Sequence, residues 1–181
     1  MKKLCILFSG IGYNCSRPLL YYSARLAEKK GYEVIRLDLD GFEKDAFGDD
    51  EKIRKCASHA LSQSLERLEN VKTGDYEKTV LIGKSIVTYA ALGVNDTLGL
   101  NAQCILLTPL PVSLELPSTG AYAFHGTSDK WADTSLIKAK CSERHIKLFT
   151  FENANHSLET GDTLNDIKNL ETIIETINSI I

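Results

Sequence analysis

Three residues of this chain, Ser85, Asp129 and His156, have side chains that together could activate a hydroxyl group. Each follows a short apolar segment that predicts a β-strand, and they occur in the order serine, carboxylate, histidine. A histidine can take the proton from a serine hydroxyl, and a carboxylate can orient the imidazole and stabilise its charged form. The pattern therefore favours nucleophilic catalysis by a serine on a carbonyl carbon.

The segment around Ser85 has the layout of a tight turn between a strand and a helix. An apolar run leads into Gly83-Lys84-Ser85, and a helix-forming segment follows. Such a nucleophile elbow exposes the serine hydroxyl above the sheet; its full pattern, Gly-x-Ser-x-Gly, here ends in Val87 instead of glycine. Gly-Lys-Ser also suggests a phosphate-binding loop, but that motif requires a glycine where this chain has Lys78. An ordinary serine at a strand end is the other alternative.

Asp129 and His156 each have a structural alternative to a catalytic role. Asp129 follows the predicted strand 121–124, where an aspartate commonly caps a turn. Asp133 precedes a predicted helix, and we expect it to be the N-cap. His156 lies in a polar loop after the last strand, which favours a general base, whereas we expect His125 to pack at a strand end. A neighbouring carboxylate is expected to raise the pKa of His156 above its usual value of about 6.5.

The loop after the first predicted strand contains Gly10-Ile11-Gly12. A dinucleotide-binding fingerprint would need a third glycine where the chain has Cys15, so this interpretation is disfavoured. Such a loop can instead direct a backbone N–H at a developing oxyanion, because glycines permit close approach. A simple tight turn is the remaining alternative.

Strands alternate with helices along the whole chain, which predicts one α/β domain over residues 1–181. The arrangement favours a three-layer sandwich with a mostly parallel sheet of about six strands, covered by helices on both faces. The predicted strands are Leu4–Phe8, Glu33–Leu37, Thr79–Ile82, Gln103–Leu107, Ala121–Phe124 and Lys147–Phe151. The predicted helices are Arg17–Lys30, Asp49–Val71, a shorter one after Ser85, Thr134–Arg144 and Asp166–Ile180.

Composition excludes several classes of protein. The chain has 181 residues, of which 43% are hydrophobic and 25% charged, with a formal net charge of −3. This balance gives no electrostatic basis for binding nucleic acid or an anionic membrane. The five cysteines are scattered and form no Cys-x-x-Cys pair. We therefore expect no disulfide framework, no metal, no cofactor and a cytoplasmic location.

Four segments of the sequence resemble those of a known protein family. Gly83-Lys84-Ser85-Ile86, His125-Gly126-Thr127-Ser128-Asp129 and Asn155-His156-Ser157 are similar to the catalytic segments of small, lid-less α/β-hydrolases related to dienelactone hydrolase. Phe8-Ser9-Gly10-Ile11-Gly12 resembles that family's oxyanion loop, with Ser9 where many members carry histidine.

The resemblance implies Ser85 as nucleophile, His156 as base and Asp129 as the carboxylate that orients it. The backbone N–H groups of Ile11 and Ile86 would form the oxyanion hole. Residues beside these positions are expected to contact the substrate: Gly10, Gly12, Tyr13, Lys84 and Trp131.

The predicted function is that of a serine hydrolase acting on a small-molecule carboxylic ester or thioester. Residues Thr108–Gly120 are too few for a helical cap domain, so an open site is expected, with a rim that includes Pro109–Leu116. The competing hypotheses are a non-enzymatic binding or scaffold protein of the same fold and a flavodoxin-like or nucleotide-binding domain. The physiological substrate and the oligomeric state stay open.

Overall fold

The computed structural model describes residues 2–43 and 45–181, in which six parallel strands form a sheet flanked by helices. The strands are β1 (Lys3–Phe8), β2 (Tyr32–Leu37), β3 (Lys78–Lys84), β4 (Gln103–Leu107), β5 (Tyr122–Gly126) and β6 (Lys147–Phe151). The helices are α1 (Pro18–Lys29), α2 (Asp50–Leu68), α3 (Thr88–Leu98), α4 (Thr134–Glu143) and α5 (Thr163–Ile180). The strand order is β2-β1-β3-β4-β5-β6. The predicted three-layer α/β architecture is confirmed.

The central strands are buried on both faces. In β1, Leu4 and Ile6 enter the core on one side of the sheet, while Cys5 and Leu7 enter the core on the other. All four side chains are fully buried. Because successive side chains of a strand point to opposite faces, an uninterrupted apolar run is the pattern of a strand covered on both sides.

The helices divide into two layers. Helices α1 and α5 pack against the Cys5 face of the sheet, and α2, α3 and α4 pack against the Leu4 face. Three helices are preceded by an aspartate whose side chain accepts a hydrogen bond from the backbone N–H three residues further along; these N-caps are Asp49, Asp133 and Asp162. The prediction that Asp133 is the N-cap of α4 is therefore confirmed.

Several element boundaries differ from the sequence prediction, among them the end of β3, which is at Lys84 instead of Ile82. Strand β5 continues through His125 and Gly126, because its backbone keeps pairing with β6 to that point. Gly126 lies against the next loop so closely that a Cβ would collide with a carbonyl oxygen of Ala154. Helix α5 begins at Thr163 instead of Asp166, since Asp162 caps it, and α2 ends at Leu68 instead of Val71.

The topology creates a crevice at the carboxyl ends of β1 and β3. The chain runs from β1 outward to β2 and then returns to the other side of β1, so the loops after β1 and β3 diverge. The link between β4 and β5, which is fully described, contains only a 3-10 turn at Ser113–Glu115. No cap domain is inserted there, as predicted. Within residues 2–43 and 45–181, no helix combines the length and the apolar character needed to span a bilayer.

Candidate active site

Ser85, Asp129 and His156 form a chain of short hydrogen bonds above the carboxyl end of the sheet. The Nε2 atom of His156 lies 2.7 Å from Oγ of Ser85, and its Nδ1 atom lies 2.7 Å from Oδ2 of Asp129. An ionised carboxylate can only accept, so Nδ1 carries the proton and donates it. Nε2 is then free to accept the hydroxyl proton of Ser85. This is the tautomer that a general base requires.

Ser85 lies on a sharp turn between β3 and α3. Its φ angle is +65°, in the left-handed region that residues with side chains rarely adopt. Gly83 allows the chain to close here, because a Cβ at this position would lie 2.9 Å from Cα of Thr88. The Thr88 hydroxyl donates to the carbonyl oxygen of Ser85 over 2.7 Å and holds the turn from the core side. A strained backbone of this kind is a feature of functional sites.

The carboxylate of Asp129 accepts one hydrogen bond within its own turn and another from the imidazole of His156. Its Oδ1 atom accepts from the backbone N–H of Trp131 over 2.8 Å, while Oδ2 faces His156. The carboxylate is fully buried. The turn-capping alternative and the orienting role therefore do not compete, since each oxygen has its own partner.

His125 lies beside this carboxylate but takes no part in the hydrogen-bonded chain. Its Nδ1 atom is 3.9 Å from Oδ2 of Asp129, and its Nε2 atom is 2.9 Å from the Thr134 hydroxyl. The side chain is fully buried in β5, and burial is the main cause of its lowered pKa. His125 packs at the end of the strand, as the sequence predicted.

The predicted upward shift of the His156 pKa is wrong in direction. Burial is the largest cause and lowers the pKa of His156 below 6.5, because it penalises the charged imidazolium. The hydrogen bond to Asp129 opposes this shift, and the positive charge of Lys84 adds to it. The sequence discloses only the carboxylate, since burial and the nearby ammonium follow from the tertiary structure.

We expect kcat/KM for ester hydrolysis to rise with pH through a single ionisation below pH 6.5 and then to level off through neutrality. The base must be neutral to accept a proton, and the lowered pKa of His156 keeps it neutral at pH 7. The measurement is kcat/KM between pH 4.5 and pH 8.5 at constant ionic strength. A midpoint above pH 6.5, or a flat profile, would contradict this assignment of the base.

A four-residue turn after β1 stands directly against the nucleophile. The backbone groups of Gly10 and Tyr13 exchange two hydrogen bonds of 3.0 Å, and Gly12 takes the positive φ of +69° that the turn needs. Gly10 approaches so closely that a Cβ there would be 2.9 Å from the carbonyl oxygen of Lys84 and 3.4 Å from Cβ of Ser85. The tip residue, Ile11, donates its N–H to none of the described residues in this turn.

Solved structures match this chain over almost its whole length. They include a protein from Xanthomonas campestris assigned to the α/β superfamily of hydrolases, at 19% identity and a TM-score of 0.65, covering 99% of each chain. An α/β serine hydrolase homologue from Coxiella burnetii matches at 15% identity and 0.68, covering 97% of this chain and 84% of that one. An esterase from Pyrococcus furiosus matches at 11% identity and 0.65, covering 99% and 83%.

The chain has the α/β-hydrolase fold. No model of a known protein family and no curated protein sequence matches it. At these identities the similarity to solved structures concerns the fold.

Two departures from the usual α/β-hydrolase motifs have local explanations. Val87 replaces the second glycine of the elbow, but its φ is −78°, an ordinary value, and its side chain is fully buried in the core. Ser9 stands where the resembling family often has histidine. Its hydroxyl accepts a hydrogen bond of 2.9 Å from the N–H of Leu39 and so ties β1 to the loop after β2.

Of the residues expected to contact substrate in this α/β-hydrolase fold, some lie beside the candidate site and one is buried. Trp131 lies beside the site, with its ring 5.6 Å from that of His156, and Gly10 and Gly12 belong to the turn facing Ser85. Lys84 requires a correction. Its side chain is only 1% exposed, and its ammonium points into the protein, so it cannot contact a substrate from solution. The β3 sequence did not disclose this, because the residues around it are all buried as well.

Two grooves adjoin the candidate site. The Trp131 groove has a volume of about 280 Å³, and its lining combines apolar residues, among them Leu110, Val112 and Trp131, with charged ones: Asp50, Arg54, Glu115 and Lys140. The Tyr13 groove has a volume of about 260 Å³ and is lined on its apolar side by Tyr13, Leu158, Ile167 and Leu170. It also includes Ser157, the residue after His156. The expected rim at Pro109–Leu116 thus contributes to the first groove.

Two residues of this site were missed by sequence reasoning. Thr88 supports the nucleophile turn, and Thr108, which has a φ of +46° at the end of β4, contacts the loop of His156. Isolated threonines carry no motif, so only the folded structure identifies them. Among residues 2–43 and 45–181, no group of three or more histidine, cysteine, aspartate or glutamate side chains is arranged to hold a metal ion.

Proposed function

We propose that the protein is a serine hydrolase that cleaves a carboxylic ester or thioester through an acyl-enzyme intermediate. The observation that carries the proposal is the chain of 2.7 Å hydrogen bonds from Ser85 through His156 to Asp129, built on a strained turn. The named structural neighbours, which include a serine hydrolase homologue and an esterase, support hydrolase chemistry.

Acylation begins with proton transfer from Ser85 to His156. Nε2 takes the proton as Oγ attacks the carbonyl carbon of the ester, and a tetrahedral intermediate forms. The imidazolium that results is stabilised by the buried Asp129 carboxylate, which already accepts from Nδ1. His156 then gives the Nε2 proton to the leaving alcohol or thiol, and the acyl group stays on Ser85.

The negative oxygen of the tetrahedral intermediate needs hydrogen-bond donors that are already oriented. The backbone N–H of Ile86 follows the nucleophile, and the N–H of Ile11 comes from the turn packed against Ser85. Donors fixed in this way cost no reorganisation during the reaction, and removing one typically lowers the rate by about 10²–10³-fold. This pair is the oxyanion hole that the resemblance implies.

Deacylation repeats the same proton transfers with water. His156 removes a proton from a water molecule, whose oxygen attacks the acyl carbon, and Nε2 returns that proton to Oγ of Ser85. One ester and one water are consumed, and one acid and one alcohol or thiol are released. No other redox or group-transfer partner is required.

The two grooves indicate the size of the ester. An ester has one group on each side of its carbonyl, and the two grooves provide two partly apolar surfaces beside the site. Each groove is smaller than the pockets of about 300–1,000 Å³ that enclose drug-sized ligands. Short acyl and alcohol groups therefore fit the site best.

The test is hydrolysis of p-nitrophenyl esters of increasing acyl chain length by the purified protein. We expect turnover above background, with kcat/KM highest for the short chains and decreasing for long ones. The alternative, a non-enzymatic scaffold of the same fold, predicts the background rate with every ester. Turnover that is equal in wild type and in the Ser85→Ala variant would also reject the proposal.

A further inference from the structure

The most unusual group next to the candidate site is the ammonium of Lys84. The residue directly precedes Ser85, yet its side chain is completely enclosed and forms no ion pair with any described carboxylate. Burying a charge without a paired charge is costly, and an apolar residue of similar length avoids that cost. The stability of the fold therefore does not explain a lysine at this position.

The ammonium instead connects the loops that carry the site. Its Nζ atom donates to the Thr108 hydroxyl over 2.7 Å and to the backbone carbonyl oxygen of His156 over 2.7 Å. It also lies 5.1 Å from the centre of the Tyr13 ring, in the turn that faces Ser85. The Thr108 hydroxyl in turn donates to the same His156 carbonyl over 3.2 Å. One side chain thus contacts the loops after β1, β4 and β6 from a position beside the nucleophile.

We propose that Lys84 is a positioning residue that fixes His156 relative to Ser85, with Thr108 as the second member of the clamp. This inference rests on the proposed function, because it assigns a role in the same reaction. Lys84 and Ser85 are consecutive, so the hydrogen bond to the His156 backbone couples the base to the nucleophile through a short path. Misplacing reacting groups by about 1 Å can cost about 10²-fold in rate.

The charge of Lys84 affects the pKa of His156, which a side chain acting by packing alone would not do. Its pKa is lowered to about 7 by burial, with Asp129 and Glu159 opposing the shift, so the group is mostly an ammonium below that pH. A positive charge near His156 disfavours the imidazolium. Removing that charge must therefore raise the pKa of His156. Burial and the neighbouring His125 still lower it, and Asp129 still raises it.

The test is Lys84→Met, which keeps the length of the side chain and removes both the donors and the charge. We expect kcat to fall by about 10²-fold with little change in KM, and the acid limb of the pH profile to move to higher pH. Lys78→Met, the same change at the exposed first residue of β3, is the matched control and should leave both unchanged. Activity of Lys84→Met within twofold of wild type, or a lowered kcat with an unmoved acid limb, would overturn the proposal.

Two further measurements test the role of Lys84 if Lys84→Met does not fold or if no ester is hydrolysed. Thr108→Val removes one partner of the clamp and keeps the charge, so kcat should fall while the acid limb stays in place; full activity would count against the clamp, even if Lys84→Met does not fold. NMR titration of His156 in wild type and Lys84→Met needs no substrate. If the wild type hydrolyses no ester, the proposed function fails, and an upward shift of the His156 pKa still decides whether Lys84 acts on His156.

Discussion

Replacing Ser85 with alanine is expected to lower kcat for ester hydrolysis by about 10⁴-fold or more, because the attacking oxygen is removed. The fold should be retained, since the hydroxyl bonds only to His156 and alanine fits wherever serine does. The left-handed φ of +65° is equally strained for both residues. The measurement is kcat and KM with a short p-nitrophenyl ester, together with thermal unfolding of both proteins.

Ser128→Ala is the matched control for this experiment. Ser128 is exposed and directly precedes Asp129, and only its backbone N–H is engaged, by the carbonyl oxygen of Ala154. We expect wild-type kcat and KM for this variant. A Ser85→Ala protein that keeps a substantial fraction of wild-type turnover would remove Ser85 from the mechanism.

Asp129→Asn is expected to lower kcat by about 10⁴-fold while leaving the loop intact. The amide oxygen can still accept from the N–H of Trp131, which turns the NH₂ group toward Nδ1 of His156. Nδ1 must then become the acceptor, and the imidazole proton moves to Nε2. In that tautomer His156 cannot take the proton of Ser85.

Asp133→Asn is the control that separates this effect from the general loss of a loop carboxylate. Asp133 accepts from the N–H of Leu136 as the N-cap of α4, and asparagine caps helices about as well as aspartate. We expect unchanged turnover and a small change in thermal stability. The reverse pattern, in which Asp133→Asn loses activity and Asp129→Asn keeps it, would show that Asp133 and not Asp129 orients His156.

The sheet could be predicted from the sequence because the residues that mark each strand and its ends are neighbours in the chain. The apolar runs of β1, β3 and β4 mark strands covered on both faces, and polar segments with Gly or Asp mark their ends. The order of Ser85, Asp129 and His156 after successive strands brings them to one edge in any parallel sheet. Their presence at the same edge therefore follows from topology, whereas the hydrogen-bond distances between them depend on the loops after β3, β5 and β6.

The environment of these side chains could not be predicted in the same way. The inward direction of Lys84 and the contact from Thr108 depend on how loops far apart in the chain meet. The pKa of His156 depends on burial and on that ammonium, neither of which the spacing of residues discloses. The sequence pattern predicts the end of β5 at Phe124, two residues too early, because the pairing of His125 with Thr150 and of Gly126 with Phe151 is a property of two strands together.

The central claim, that Ser85 is an activated nucleophile, is tested most directly by its reaction with a fluorophosphonate probe. An activated serine oxygen displaces fluoride from phosphorus and keeps the probe covalently, whereas ordinary serine hydroxyls do not react at a comparable rate. After labelling, digestion and mass spectrometry identify the modified peptide. We predict a single adduct on Ser85 that is absent from Ser85→Ala and from the unfolded protein. Absence of any adduct, or equal labelling of the folded and unfolded chains, would contradict the assignment.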